Sequence, residues 1–248
     1  MRKYILVAVL LSLILVYPVF GNESADIADN YRFETALRLS RVLDRQLVFS
    51  FVSSGCAHCQ EFKDQILSDP AVKELFHRHF VLSLVSLDSK FDIELPEKGT
   101  VTNFELASSL GVEYTPTTYF FYPPNPGLEG NGIVKVPGNV SDPKKMVDLL
   151  NRALTDSFQE GEGTEEAEVD NYNYETSVKE ISREDSRFLQ ENMKDGLTVV
   201  NERKELSEFP QEEELVLNFP LDDLETYAGK VLSDTPVKKV YIVKFGGE

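Results

Sequence analysis

Cys56-Ala57-His58-Cys59 holds the only two cysteines of this 248-residue chain, and it sits between two runs of opposite character. Before it, Leu47-Val-Phe-Ser-Phe-Val52 reads as a buried strand. After it, Gln60 to Leu67 reads as a helix. Such a turn restricts the fold, because the first sulfur must land at a helix N-terminus. Unpaired backbone N–H groups and the helix dipole favour a thiolate there. A thiolate so placed attacks other disulfides, and the second cysteine resolves the mixed disulfide. Cys59, Phe62 and Ile66 recur at three- and four-residue spacing, so Cys59 is expected to be the more buried sulfur. His58 can add positive charge beside Cys56. A purely structural bridge would explain little, since closing so short a loop removes little chain entropy.

Composition limits the remaining choices. An apolar fraction of 42% is enough for a packed core, and the net charge of −17 argues against a nucleic-acid partner. At the N-terminus, Arg2 and Lys3 precede an apolar run from Ile5 to Val16, and Val19-Phe20-Gly21 offers a cleavage site. Residues 1–21 therefore read as a signal peptide, with a retained membrane anchor as the alternative. The run is short for a span, so no stable span is expected after cleavage. An exported protein of the periplasm or cell envelope lies where disulfide chemistry is permitted.

The order of elements follows from periodicity. Tyr31 to Arg45 places Phe33, Ala36, Leu37, Ser40 and Leu43 on one helical stripe. Ser68-Asp69-Pro70 stops the helix after the cysteines and starts another, with Asp69 as N-cap. Val81 to Leu87 reads as a central strand covered on both faces. Residues 88–102 read as a polar loop, and Asn103 to Leu110 as a short helix closed by Gly111. Thr118–Tyr122 and Ile133–Val136 read as strands joined through the turn Pro123–Gly127. Asp142-Pro143 caps a last helix bearing Met146, Val147, Leu150 and Leu154.

This α-β-α-α-β-α-β-β-α order resembles the thioredoxin superfamily over residues 31–155, and is most similar to its exported thioredoxin-related group. Gly55-Cys56-Ala57-His58-Cys59, Asp69-Pro70-Ala71-Val72 and Gly111-Val-Glu-Tyr-Thr-Pro-Thr117 carry the likeness. The resemblance implies a thioredoxin-like α/β fold, a central mixed sheet flanked by helices. It implies a cis-proline at Pro116 opposite the cysteines, with Thr115 pairing an extended substrate segment and tuning redox behaviour. It also implies an oxidising tendency, because strongly oxidising bacterial members carry histidine at the place of His58. Two positions depart from the pattern. Ser50 stands where thioredoxins carry a buried acid, with Leu84 in place of the acid's lysine partner. Gly55 replaces the usual tryptophan. A hydroxyl cannot act as a general base near neutral pH, so a generic thioredoxin-like reductase role is disfavoured.

The domain plan is a signal peptide (1–21), a thioredoxin-like domain (22–155), an acidic linker (156–175) and a small C-terminal α/β extension (176–248). The linker carries eight acidic residues and no basic one. In the extension, Val178 to Met193 and Leu221 to Leu232 read as helices; Leu197–Val200, Glu214–Leu217 and Val237–Phe245 read as strands. About 70 residues make a marginal core, so the module either packs on the first domain or positions a partner. His77-Arg78-His79 reads as a solvated helix end, since its spacing does not suit zinc. No metal, nucleotide or flavin is expected.

The sequence thus points to an exported thiol–disulfide oxidoreductase acting on protein thiols and disulfides together with a redox partner. Cys56 is the nucleophile, Cys59 the resolving thiol, His58 the thiolate stabiliser and Thr115-Pro116 the docking edge. A redox-silent binding or chaperone-like module acting through the extension is the alternative.

Overall fold

A computed structural model describes residues 30–95, 99–121, 133–155, 177–193, 197–209 and 214–244. The expected signal peptide, the Pro123–Gly127 turn and the acidic linker lie outside these residues. The first domain begins with helix α1 (Phe33–Leu43) and strand β1 (Gln46–Val52). Helix α2 (Ala57–Glu61) runs into a π-helical stretch, Phe62–Ile66. Helix α3 (Pro70–His79) starts where the Asp69 carboxylate accepts the Ala71 and Val72 N–H groups at 2.9 and 3.2 Å. Strand β2 (Phe80–Ser86), hairpin strands β3 (Asp92–Leu95) and β4 (Gly99–Thr102), and helix α4 (Asn103–Ser109) follow. Strands β5 (Thr117–Phe121) and β6 (Ile133–Pro137) and helix α5 (Pro143–Leu154) complete this part.

The sheet order is β2-β1-β5-β6, with β1 parallel to β2 and antiparallel to β5. Two sequence expectations change here. Val81–Leu87 is not central: β1 and β5 are, and β2 lies at the edge of the sheet. It is still buried on both faces, and its outer side meets Asn30 and Tyr31. The Tyr31 N–H donates to Leu82 at 3.0 Å, and the Asn30 side chain accepts from Leu84 N–H at 2.8 Å. Residues 88–102 are not a plain loop, because Ile93 and Leu95 alternate with Asp92 and Glu94 and so fold as a hairpin with one buried face.

Side-chain alternation along the strands builds a core on each face of the sheet. Val48, Leu82 and Phe120 pack with Phe62, Ile66, Val72, Phe76, Met146 and Leu150. On the other face Phe49 stacks on Tyr119 at 5.0 Å and meets Phe33 edge-on at 5.1 Å. Leu39 and Val42 of α1 are buried as well, outside the expected stripe, because α1 is covered twice.

The second cover is the C-terminal module. It comprises β7 (Ser177–Ile181), α6 (Arg183–Asn192), β8 (Leu197–Val200), β9 (Glu214–Leu217), α7 (Leu224–Asp234) and β10 (Lys239–Val243). Val178–Ile181 is therefore a strand and not the start of a helix. It pairs with β10, and the Ser182 hydroxyl caps α6 through Asp185 N–H at 3.0 Å. The four strands are all parallel in the order β7-β10-β9-β8. Leu215, Leu217, Val240 and Ile242 face α7. The alternate residues Val216, Tyr241 and Val243 join the core around α1. One helix thus lies between two sheets, and the module completes its burial against the first domain.

A polar seam closes this junction at the start of β1. Arg45 pairs with Glu214 at 3.2 Å, both nearly buried. The Tyr241 hydroxyl lies 2.9 Å from Glu214 and 3.2 Å from the Leu43 carbonyl. Lys239 and Lys179 donate to the Leu43 and Arg41 carbonyls at 2.6 and 2.9 Å, placing cations at the negative end of α1. The seven residues of β1 separate the seam from the cysteine turn, about 23 Å at the usual strand rise.

Candidate active site

The parallel pairing of β1 and β2 brings their C-terminal ends together, with Val52 opposite Ser86. Ser53, Ser54 and Gly55 turn the chain at this end of the sheet, and Cys56 becomes the N-cap of α2. Cys56 and Cys59 form a disulfide with Cα atoms 5.2 Å apart. The two sulfurs differ in access as the helical spacing predicts. Cys59 is 1% exposed, whereas Cys56 is only partly buried. Cys59 N–H donates to Cys56 Sγ at 3.0 Å. A donor so placed interacts more strongly with a thiolate than with a neutral sulfur, which favours ionisation of the outer cysteine.

Thr115 and Pro116 lie directly opposite. Their peptide bond is cis. Cys56 Sγ is 3.2 Å from the Thr115 carbonyl oxygen, and the Ser53 and Thr115 hydroxyls are 3.4 Å apart. The loop leading to them is pinned from both sides. The Thr117 hydroxyl donates to the Tyr114 carbonyl at 2.6 Å, and the Tyr119 hydroxyl donates to the Leu110 carbonyl at 2.8 Å. Tyr114 is left 65% exposed beside the cysteine turn. All five residues singled out from the sequence therefore belong to one turn and the loop facing it, although His58 contacts neither cysteine by a hydrogen bond among the described residues. Its Nδ1 lies 3.4 Å from Glu61 Oε2.

Beneath the turn, Ser50 is fully buried, and its hydroxyl is 2.6 Å from that of Thr118. Leu84 is its neighbour on β2. The place of the family's buried acid is thus filled by a closed pair of hydroxyls, with no ionisable group. A proton for Cys59 has to come from elsewhere.

Two groups escaped the sequence reading. The Asp88 carboxylate accepts the Ser54 N–H at 2.9 and 3.0 Å and the Ser54 and Ser86 hydroxyls at 3.0 and 2.9 Å. These bonds, led by that from the Ser54 backbone, hold its pKa below the ordinary carboxylate value. The signal available was its place just past a strand parallel to β1, hence at the same sheet end. Asn139, on the connection between β6 and α5, donates to Glu61 Oε2 at 2.7 Å; nothing local marks that contact. One expectation also fails. His79 is not part of a solvated helix end but is mostly enclosed, and burial lowers its pKa to about 4, with Arg45 and Arg78 adding to the effect. Among the described residues there is no cluster of side chains that could hold a metal ion, and no helix is long and apolar enough to cross a membrane.

Residues 33–154 match the family model of the thioredoxin-like domain. No curated protein matches the chain. Among solved structures, a thioredoxin from Thermus thermophilus is 26% identical, with a TM-score of 0.40, covering 53% of this chain and 90% of that one. A thioredoxin-fold protein from Helicobacter pylori is 21% identical, with a TM-score of 0.35, covering 44% and 69%. An oxidoreductase named DsbH is 22% identical, with a TM-score of 0.36, covering 51% and 88%. Residues 33–154, with their mixed sheet and their cysteine pair at the helix start, are thus a thioredoxin-like domain.

Proposed function

We propose that this protein is an exported oxidoreductase that passes its Cys56–Cys59 disulfide to protein dithiols. The observation that carries the proposal is the asymmetry of the pair. The outer sulfur is reachable and receives the Cys59 N–H at 3.0 Å, while the inner sulfur is 1% exposed. In the oxidising direction a substrate thiolate attacks Cys56 Sγ. The Cys56–Cys59 bond breaks, and Cys59 leaves as a thiolate and takes a proton. A second substrate thiolate then attacks the substrate sulfur of the mixed disulfide and releases Cys56 as a thiolate. The substrate loses two electrons and gains a disulfide; the enzyme pair gains them. A partner disulfide of the same compartment accepts them in turn.

Stabilisation of the reduced Cys56 thiolate favours this direction, since a stable reduced form makes a strong oxidant. Thr115 and Pro116 form the docking edge, with the Thr115 carbonyl beside the attacked sulfur. Export is supported by the basic Arg2-Lys3 and the apolar Ile5–Val16 run. The deciding experiment is equilibration of the purified pair with glutathione mixtures. A reduction potential near the strong oxidants, about −120 mV, supports disulfide formation; one near thioredoxin, about −270 mV, overturns the direction. Formation of disulfides in a reduced unfolded protein, abolished by Cys56→Ser, supports catalysis.

A further inference from the structure

We infer that Glu61 and Asn139 are positioning residues for His58, and that they draw its imidazole off Cys56. The inference rests on the redox reading of the pair. His58 and Glu61 are one helical turn apart on α2, where side chains three positions apart meet. His58 Nδ1 is 3.4 Å from Glu61 Oε2, and the His58 side chain is 72% exposed. A second bond fixes the carboxylate: Asn139 Nδ2 donates to the same oxygen at 2.7 Å. Asn139 is brought there by Gly138, whose φ of +81° lets the chain turn between β6 and α5. The acceptor is therefore anchored from outside the helix and is not free to follow the histidine toward the cysteines.

An imidazolium placed here has two candidate anions, the Glu61 carboxylate and the Cys56 thiolate. The anchored carboxylate holds the first claim. Its negative charge also offsets the field of His58 at Cys56. The consequence is a restraint on oxidising strength: the pair is less oxidising than the same turn with an untethered histidine. Neither Glu61 nor Asn139 touches the reacting sulfurs, so both act through His58.

The test is a cycle of reduction potentials at one pH, in wild type, Glu61→Gln, His58→Ala and the double variant. Lys63 and Asp88, charged groups near the turn, are common to all four and cancel. Glu61→Gln is expected to raise the glutathione equilibrium toward the reduced enzyme by about two- to fivefold, the range for an exposed pair. Asn139→Ala should move it in the same direction by less, and Glu61→Gln in the His58→Ala background should lose more than half of its effect. Equal shifts with and without His58 would mean that Glu61 acts directly on Cys56, and no shift would mean that the pair is idle; either result overturns the inference alone. A Cys56–Cys59 pair that does not equilibrate with glutathione would overturn the exchange reading as well.

Discussion

The Asp88 carboxylate takes both the backbone N–H and the hydroxyl of Ser54, two residues before Cys56, at 2.9–3.0 Å. A residue at the end of one strand thereby fixes the turn at the end of its parallel neighbour. Asp88→Asn removes the charge and half the acceptor capacity. Disulfide exchange is expected to slow because the turn loosens, while the fold persists. The linkage has a definite sign. The folded-state pKa of Asp88 is depressed from 3.8. Its stabilisation is present above that value and is lost as pH falls below it. Urea midpoints of wild type and variant should differ at pH 7 and converge below about pH 4. A constant difference across that range would assign the effect to packing.

The reduced cysteines should react unequally. Alkylation across pH is expected to modify Cys56 first, with a midpoint below the free-thiol value of about 8.5, and Cys59 slowly. Faster labelling of Cys59 would reverse the assignment of nucleophile and resolving thiol.

The junction of the C-terminal module rests on a nearly buried ion pair, Arg45–Glu214, with the Tyr241 hydroxyl on the same carboxylate. Glu214→Ala leaves a buried guanidinium short of its carboxylate and should cost about 3 kcal/mol. Tyr241→Phe should cost about 1 kcal/mol. Glu184→Ala, at the more exposed Arg38 pair, should stay within about 1 kcal/mol. Chemical denaturation ranks the three. A Glu214 variant as stable as wild type would show that the seam does not hold the module.

His79 predicts a second pH effect, opposite in chemical origin. The unfolded imidazole takes a proton near pH 6.5, whereas the folded one, enclosed and beside Arg45 and Arg78, takes it only near pH 4. Between those values the unfolded state binds more protons, so stability is full above pH 6.5 and falls as pH drops toward 4, by no more than about 3 kcal/mol. His79→Gln should flatten the profile in that window. An unchanged slope would mean that His79 is protonated in the native protein.

Much of the first domain was legible because its signals are local. Asp69-Pro70 and Asp142-Pro143 start helices through bonds to N–H groups two or three residues on. Aromatic and β-branched residues mark β5, and three- and four-residue spacing buries Cys59. The errors have equally physical causes. Residues 88–102 are polar on average but alternate along Asp92–Leu95, and alternation outweighs average polarity once a helix covers one face. Val178–Ile181 is compatible with a helix until β10 offers a parallel partner.

By itself the sequence determined the disulfide turn, the helix starts and the strand-helix order around Cys56, since capping and side-chain period act over a few residues. Tertiary structure alone decided that β2 is an edge strand, that Asp88 clamps Ser54, that Asn139 anchors Glu61, and that α1 lies between two sheets. Those contacts join residues 34, 78 and 196 positions apart. Local propensity carries no information at such separations; strand pairing and the burial of a second face of α1 select the partners.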